Sequence, residues 1–329
     1  MNLDLDHSSV LGLQLVDLES VDRDVDLHAG PVVAVGSAAV IGSERAQPWV
    51  QRATFTLSSE PVTDPRVVTV PSVEAATEEL ARRVRRWPQA ASICDDVLRA
   101  AQPDAPVWTG VAAESLAYST LQSGREFATW LASRGPAVPA PTPDPVVAER
   151  DGNVLHIWFN RPERHNAFST DMRQALLDLL AVAVHDPSIE QVVIAGRGPS
   201  FCSGGDLAEF GTFEDPASAH VARTRHSPAL ALSVLSSRLG EWLVARVHGR
   251  VIGSGLEMAA FCGRVEAHPD SQMALPELSL GLIPGAGGTV SITRRIGRWR
   301  TAYLVLSGQP VSAQTCLEWG LVDAITMSG

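Results

Sequence analysis

The sequence predicts an α/β protein with a helical region packed on its core, and three observations support this. From residue 146 onward, strand-length apolar runs alternate with amphipathic helical stretches, as in a layered α/β core. Residues 72–134 instead repeat their apolar positions at helical spacing. Between these regions lies GPAVPAPTPDP at residues 135–145, which has the composition of a semi-rigid extended spacer.

In chain order, residues 1–65 read as a short α/β segment without recognisable chemistry. Its first thirty residues are acidic and weakly patterned, with one strand-like run at residues 13–18. PVVAVGSAAV at residues 31–40 reads as a buried strand followed by a small-residue turn, and Ala53 to Leu57 alternates like an edge strand. Residues 66–135 are the helical region. Ser72 opens a helix in which Ala76, Leu80 and Val84 recur at helical spacing. Pro88 breaks that pattern, and further helices are expected over 90–101, 112–121 and 125–134. Residues 136–150 form the proline-rich linker, and residues 151–329 the α/β core. In the core, strands are expected over 154–159, 191–195 and 244–247. Helices are expected over 170–185, with Met172, Leu176, Leu179, Leu180 and Val184 recurring, and over 255–262.

Composition narrows the functional classes. At 329 residues and 45% hydrophobic, the chain can build one large domain or two ordinary ones. A net charge of −11 argues against a nucleic-acid partner, whose binding rests on basic patches. The four cysteines, Cys94, Cys202, Cys262 and Cys316, lie far apart with no metal-ligand spacing. They read as reduced packing residues of a cytoplasmic protein. The first residues, MNLDLDHSSV, lack the basic and apolar regions of a signal peptide. No apolar run reaches the ~18–20 residues of a membrane span.

The chemistry concentrates in residues 247–289, VHGRVIGSGLEMAAFCGRVEAHPDSQMALPELSLGLIPGAGGT. A glycine turn at a helix start presents free backbone N–H groups to a developing oxyanion. Glu257 stands just past Gly253-Ser254-Gly255, and Glu277 follows Pro276 ahead of Pro284-Gly285-Ala286-Gly287-Gly288. Two carboxylates in one pocket can hold a water between them and divide base and acid roles. Taken singly, a glutamate in the first turn of a helix is usually a dipole-stabilised surface residue.

This stretch resembles the crotonase (enoyl-CoA hydratase/isomerase) superfamily. Arg164-His165-Asn166-Ala167, after Arg161-Pro162, resembles the family's early Asn-Ala block. Phe201-Cys202-Ser203-Gly204-Gly205-Asp206-Leu207 resembles its first oxyanion and CoA block, and residues 247–289 its second. The resemblance covers roughly residues 151–326 and implies a core of repeated ββα spiral turns. It also implies an oxyanion hole built from the backbone N–H groups of Gly205 and Ser254, although family members commonly have glycine at the latter position. Ser203, Gly205, Leu207 and Arg164 would border coenzyme A. Asp206 could equally cap the turn that follows it. With both glutamates present, the implied activity is hydration or dehydration of an α,β-unsaturated acyl-CoA thioester. Glu277 would exchange a proton with the α-carbon while Glu257 activates the water. The alternatives are double-bond isomerisation by the same kind of site, or a non-catalytic acyl-CoA-binding subunit. No cofactor is implied beyond the coenzyme A of the substrate, and a homo-oligomer, trimer or hexamer, is expected.

The helical region departs from the family's order. SVEAATEELARRV and ESLAYSTLQSGREFATWL resemble the helical tail that ordinarily follows the core, yet here they precede it. A circular permutation or a partial duplication would give this arrangement. It predicts that Gly329 lies near residues 66–72, and that the helices cover the acyl pocket and bury Leu80, Val84, Leu116, Phe127 and Trp130. Arg82, Arg83, Arg85 and Arg86 would form either a solvated helical face or an attraction for CoA phosphates. Neither GxGxxG nor GxSxG is completed around Ser203 or Ser254, which leaves a dinucleotide fold or a nucleophile elbow without support.

Overall fold

The computed structural model describes residues 12–20, 30–213 and 215–327. Its first unit is a four-stranded parallel sheet of β1 (Gln14–Asp17), β2 (Val32–Val35), β3 (Phe55–Ser58) and β4 (Val67–Thr69), hydrogen-bonded in that order. Helices α1 (Ala38–Ile41) and α2 (Gln47–Arg52) link β2 to β3. Side chains alternate faces along a strand. Accordingly, Val32 and Ala34 join a small cluster with Ile41 and Val50, while Val33 joins the main core.

The structure corrects two readings here. β3 is an inner strand, paired on both sides. Its apolar–polar alternation reflects two buried faces of different polarity, since Thr56 and Ser58 are as buried as Phe55 and Leu57. The parallel sheet also runs on to Thr69, past the expected boundary at residue 65.

Four helices follow: α3 (Val73–Arg86), α4 (Pro88–Ala100), α5 (Val107–Gln122) and α6 (Arg125–Arg134). The Ser72 hydroxyl caps α3 by accepting from Ala75 N at 3.2 Å. Pro88 takes the first turn of α4, where a missing N–H costs nothing.

The core begins with β5 (Val146–Asp151), which occupies the end of the expected 136–150 linker and pairs antiparallel with β6 (Val154–Phe159). Then come α7 (Thr170–His185), β7 (Gln191–Gly196), α8 (Pro216–Arg225), α9 (Pro228–Leu239) and β8 (Leu243–Val247). The chain continues through β9 (Arg250–Ile252), α10 (Ser254–Ala259), β10 (Arg264–Ala267) and β11 (Gln272–Ala274). It closes with α11 (Gly288–Ser307, interrupted at Gly297), β12 (Val311–Ser312), α12 (Ala313–Trp319) and β13 (Ala324–Ile325). The main sheet runs β13-β10-β8-β7-β6-β5, and a side sheet runs β12-β11-β9. Thus β8–β9–α10 and β10–β11–α11 are successive ββα turns, each sending one strand to either sheet.

The helical region and the first sheet pack on α11. Phe55 meets Tyr303 edge-on at 5.5 Å, and Arg83 Nε donates to Leu306 O at 2.8 Å. Helix α5 comes close to α11 at Gly110, where a Cβ would stand 2.4 Å from Val290 Cγ2. Leu80, Val84 and Phe127 are buried and Trp130 partly so, but Leu116 is 57% exposed. The inward face of α5 carries Glu114, Ser115, Tyr118 and Ser119 instead, so its polar side, and not Leu116, faces the core. The arginines of α3 serve packing and local pairing: Arg82 bonds Glu79, and Arg86 lies over Trp87. All four cysteines are buried and unpaired. The expected contact of Gly329 lies outside the described residues.

Candidate active site

Backbone lacing brings the two glycine turns together. Cys202 N donates to Arg250 O at 3.0 Å, and Ile252 N returns to Cys202 O at 2.9 Å. Phe168 N holds Gly204 O at 2.8 Å, while Asp206 N donates to Phe168 O at 3.0 Å. Gly204–Gly205 therefore sits beside Gly253–Ser254. Gly253 turns the chain from β9 into α10 with φ 50° and ψ −124°, a region open to glycine. Ser254 begins α10, so its N–H lacks an intrahelical acceptor. No hydrogen bond to a described residue engages the N–H of Gly205 or of Ser254.

Behind Gly205 stands an aromatic wall. A Cβ on Gly205 would meet the Phe210 ring at 2.9 Å. Trp130 packs edge-on against Phe210 at 5.9 Å and stacks on Phe127 at 5.5 Å. The block containing Gly205 is anchored from beneath by Arg161, which is 1% exposed. Arg161 pairs with Asp206 at 3.0 Å and donates to Thr142 Oγ1 at 3.0 Å and Ala140 O at 3.2 Å. Asp206 also accepts from Ala208 N at 3.1 Å, which makes it the cap of the next turn.

These turns open on a cavity of about 440 Å³ whose lining includes Ser203, Gly205, Leu207, Ser254, Glu257 and Glu277. Arg164 is not among the lining residues. Its side chain is exposed, and its carbonyl stands 3.5 Å from Ser203 Oγ. The α3 arginines do not line the cavity either.

The two glutamates occupy different surroundings. Glu257 Oε2 accepts from Ala286 N and Gly288 N, both at 2.7 Å. Burial raises its carboxyl to about 7 against the pull of these amides. Glu277 opens a short 3₁₀ turn, Glu277–Leu280, and its buried Oε2 has no hydrogen-bond partner among the described residues. Burial first, and then the Glu257 charge, hold its carboxyl well above the usual range. Two carboxyls in one dry pocket do not ionise together without large cost, so the poorly solvated one keeps its proton.

A third buried carboxyl, Glu114 on α5, lies behind them and was not anticipated. Its Oε1 accepts from Gly287 N at 2.7 Å, and its Oε2 from Thr289 N at 2.9 Å and Thr289 Oγ1 at 2.7 Å. Burial and the neighbouring Glu257 raise it to about 8. Tyr118, one turn further along α5, lines the cavity and lies where a Gly285 side chain would stand, its ring 2.5 Å from that Cβ position. The available signal was the 114, 115, 118, 119, 122 spacing of polar residues on a helix otherwise rich in alanine and leucine.

Residues 149–328 match the family model for enoyl-CoA hydratase/isomerase. The chain belongs to the enoyl-CoA hydratase/isomerase family. It is 33% identical over 180 residues to 2,3-dehydroadipyl-CoA hydratase of Escherichia coli, covering 55% of this chain and 68% of that one. It is 32% identical over 185 residues to the mitochondrial enoyl-CoA hydratase of Pongo abelii, covering 55% of this chain and 61% of that one. The chain thus spans about two thirds of the length of these relatives. An enoyl-CoA hydratase/isomerase from Marinobacter aquaeolei superposes with a TM-score of 0.50 at 25% identity, over 56% of this chain and 72% of that one. The family match begins at residue 149, so helix α5, whose Tyr118 and Gln122 line the cavity, precedes the matched span.

Proposed function

We propose that this family member hydrates α,β-unsaturated acyl-CoA thioesters and catalyses the reverse dehydration. The observation that carries the reading is the placement of Glu257 and Glu277 in one cavity with the free amides of Gly205 and Ser254. The thioester oxygen accepts from those two amides, which take up the charge that develops as the enolate forms. Glu257, held by two N–H groups, is the better carboxylate and receives a proton from the attacking water as its oxygen bonds to Cβ. Glu277, kept protonated by burial, delivers its proton to Cα. One water is added, no electrons leave the substrate, and proton exchange with solvent after product release restores both carboxyls. On this reading coenzyme A enters and leaves as part of the substrate, with its near end beside Ser203 and Leu207.

The test is loss of enoyl absorbance with crotonyl-CoA, with mass analysis of the product. Glu257→Gln and Glu277→Gln should each lower kcat by about 10²–10⁴. Undiminished hydration in both variants would overturn the assignment. A shifted double bond in place of a 3-hydroxyacyl product would favour isomerisation, and acyl-CoA binding without turnover would favour a binding subunit.

A further inference from the structure

The cavity carries positive charge that the hydration chemistry does not use. Arg173, from α7, and Arg223, from α8, both line it. Arg223 is held by neutral acceptors alone: Ser115 Oγ at 3.2 Å, Gln122 Oε1 at 2.8 Å and the Ser119 hydroxyl. Its guanidinium lies over the Tyr118 ring, 4.5 Å from the centroid. The Arg173 side chain forms no hydrogen bond or ion pair with a described residue, and the acid whose charge reaches it, Glu209, is occupied by Thr170 N and Thr170 Oγ1, both at 2.8 Å. Both arginines are half-buried, and burial works against both cations. Their charges also oppose each other, since the Arg173 charge bears on Arg223. A guanidinium stays charged under all ordinary conditions. Two of them sharing a cavity, with no carboxylate of a described residue paired directly to either, are best explained by an anion that arrives with the ligand.

The position of Arg223 selects which anion. Tyr118 lies against Gly285, and the next residue, Ala286, donates to Glu257. Arg223 is stacked on that same tyrosine and so lies on the Glu257 side of the cavity. On the reading above, a thioester held at Gly205 and Ser254 has its coenzyme A beside Ser203 and Leu207, so its acyl tail runs the other way, past Glu257. The nucleotide leaves on the other side of the thioester. The anion that reaches Arg223 therefore ends the acyl chain.

We propose that Arg173 and Arg223 form an anion subsite for the far end of the acyl chain, and that the preferred substrate is an enoyl-CoA whose chain ends in a carboxylate. The proposal rests on reading the cavity as an acyl-CoA site. It does not depend on which reaction the glutamates perform.

The experiment uses inert saturated thioesters, so that binding is measured apart from chemistry. Calorimetry with the full chain compares dicarboxylyl-CoA and monocarboxylyl-CoA compounds across a series of matched chain lengths, with free coenzyme A as a third ligand. At the best length the dicarboxylyl thioester should bind about 10- to 100-fold tighter, the range for a charge-assisted contact. Arg173→Gln should bring that ratio close to one, and Arg173→Lys should retain part of it. The Arg173 side chain makes no hydrogen bond to a described residue, so its replacement removes no contact of that kind among them. A ratio of one in the wild-type protein at every length overturns the proposal, as does an unchanged ratio in Arg173→Gln. If Arg173→Gln weakens free coenzyme A as much as it weakens the dicarboxylyl thioester, the anion is a phosphate and the proposal fails. Lack of hydration of a dicarboxylyl enoyl-CoA of that best length, alongside a strong dicarboxylyl preference in binding, would instead count against the hydration reading and leave the subsite standing.

Discussion

Glu114 and Glu257 bind alternate amides of a single turn. Ala286 and Gly288 donate to Glu257, while Gly287 and Thr289 donate to Glu114. Successive N–H groups point to opposite sides, so the turn that opens α11 is clamped between a core glutamate and one from the helical region. Glycine is required at residue 288, where a Cβ would meet Glu257 Cγ at 2.6 Å.

Replacing Glu114 should therefore change the site without touching the substrate. Glu114→Gln keeps one acceptor and turns the other into a donor facing donors, which should cost about 1–3 kcal/mol of stability. It also removes a carboxyl that, once ionised above about pH 8, holds the Glu277 carboxyl higher. The alkaline limb of the kcat–pH profile, where Glu277 would lose its proton, should consequently move to lower pH. A purely structural role would depress activity at every pH and leave the limb in place, and the profile measures the difference.

Stability should fall as pH rises through neutrality. The carboxyls of Glu257 and Glu114 are raised in the folded protein from 4.5 to about 7 and about 8. A raised carboxyl means that the folded state holds its protons more tightly than the unfolded chain. Its cost is absent below the unfolded value, grows from there, and is complete above the folded value. Melting temperature should thus decline between about pH 5 and pH 8.5, and Glu257→Gln should flatten that slope. A melting temperature rising over this range would contradict the burial of these groups as charged species.

Gly253→Ala should damage catalysis more than folding. The added methyl would stand 2.5 Å from Glu277 Oε1, on backbone with φ 50°. Displacing that side chain moves the proton donor away from Cα. A drop in kcat of about 10²-fold or more is expected, since small misplacements in a site are amplified in rate. Thermal unfolding measured alongside should show only the modest loss of a strained turn, about 1–3 kcal/mol. Equal hydration by variant and wild type would separate Glu277 from the chemistry.

The core's ββα turns and its two glutamates were readable because their signals are local. A strand, a glycine turn and a helix follow one another within a few residues at Val251 to Glu257, and again before Gly288. What surrounds them was not local. The burial of Glu114 follows from α5 meeting α11, and its partner Gly287 is 173 residues away. Periodicity placed Leu116 inside because apolar residues usually face the core, yet α5 turns its polar stripe inward to meet amides and an arginine. The same limit affected β3, whose polar side chains Thr56 and Ser58 are fully buried. Arg164 was assigned from its place in a motif, and the structure puts it beyond the cavity wall.

The clamp on the 286–289 turn also has a consequence for synthesis of the chain. Helix α5 leaves the ribosome long before residue 289 does, and translation proceeds at roughly 5–20 residues per second. For at least several seconds Glu114 and Tyr118 therefore lack the partners that later bury them. The helical region must wait, with the inner face of α5 open to chaperones, until the last third of the polypeptide arrives to close over it.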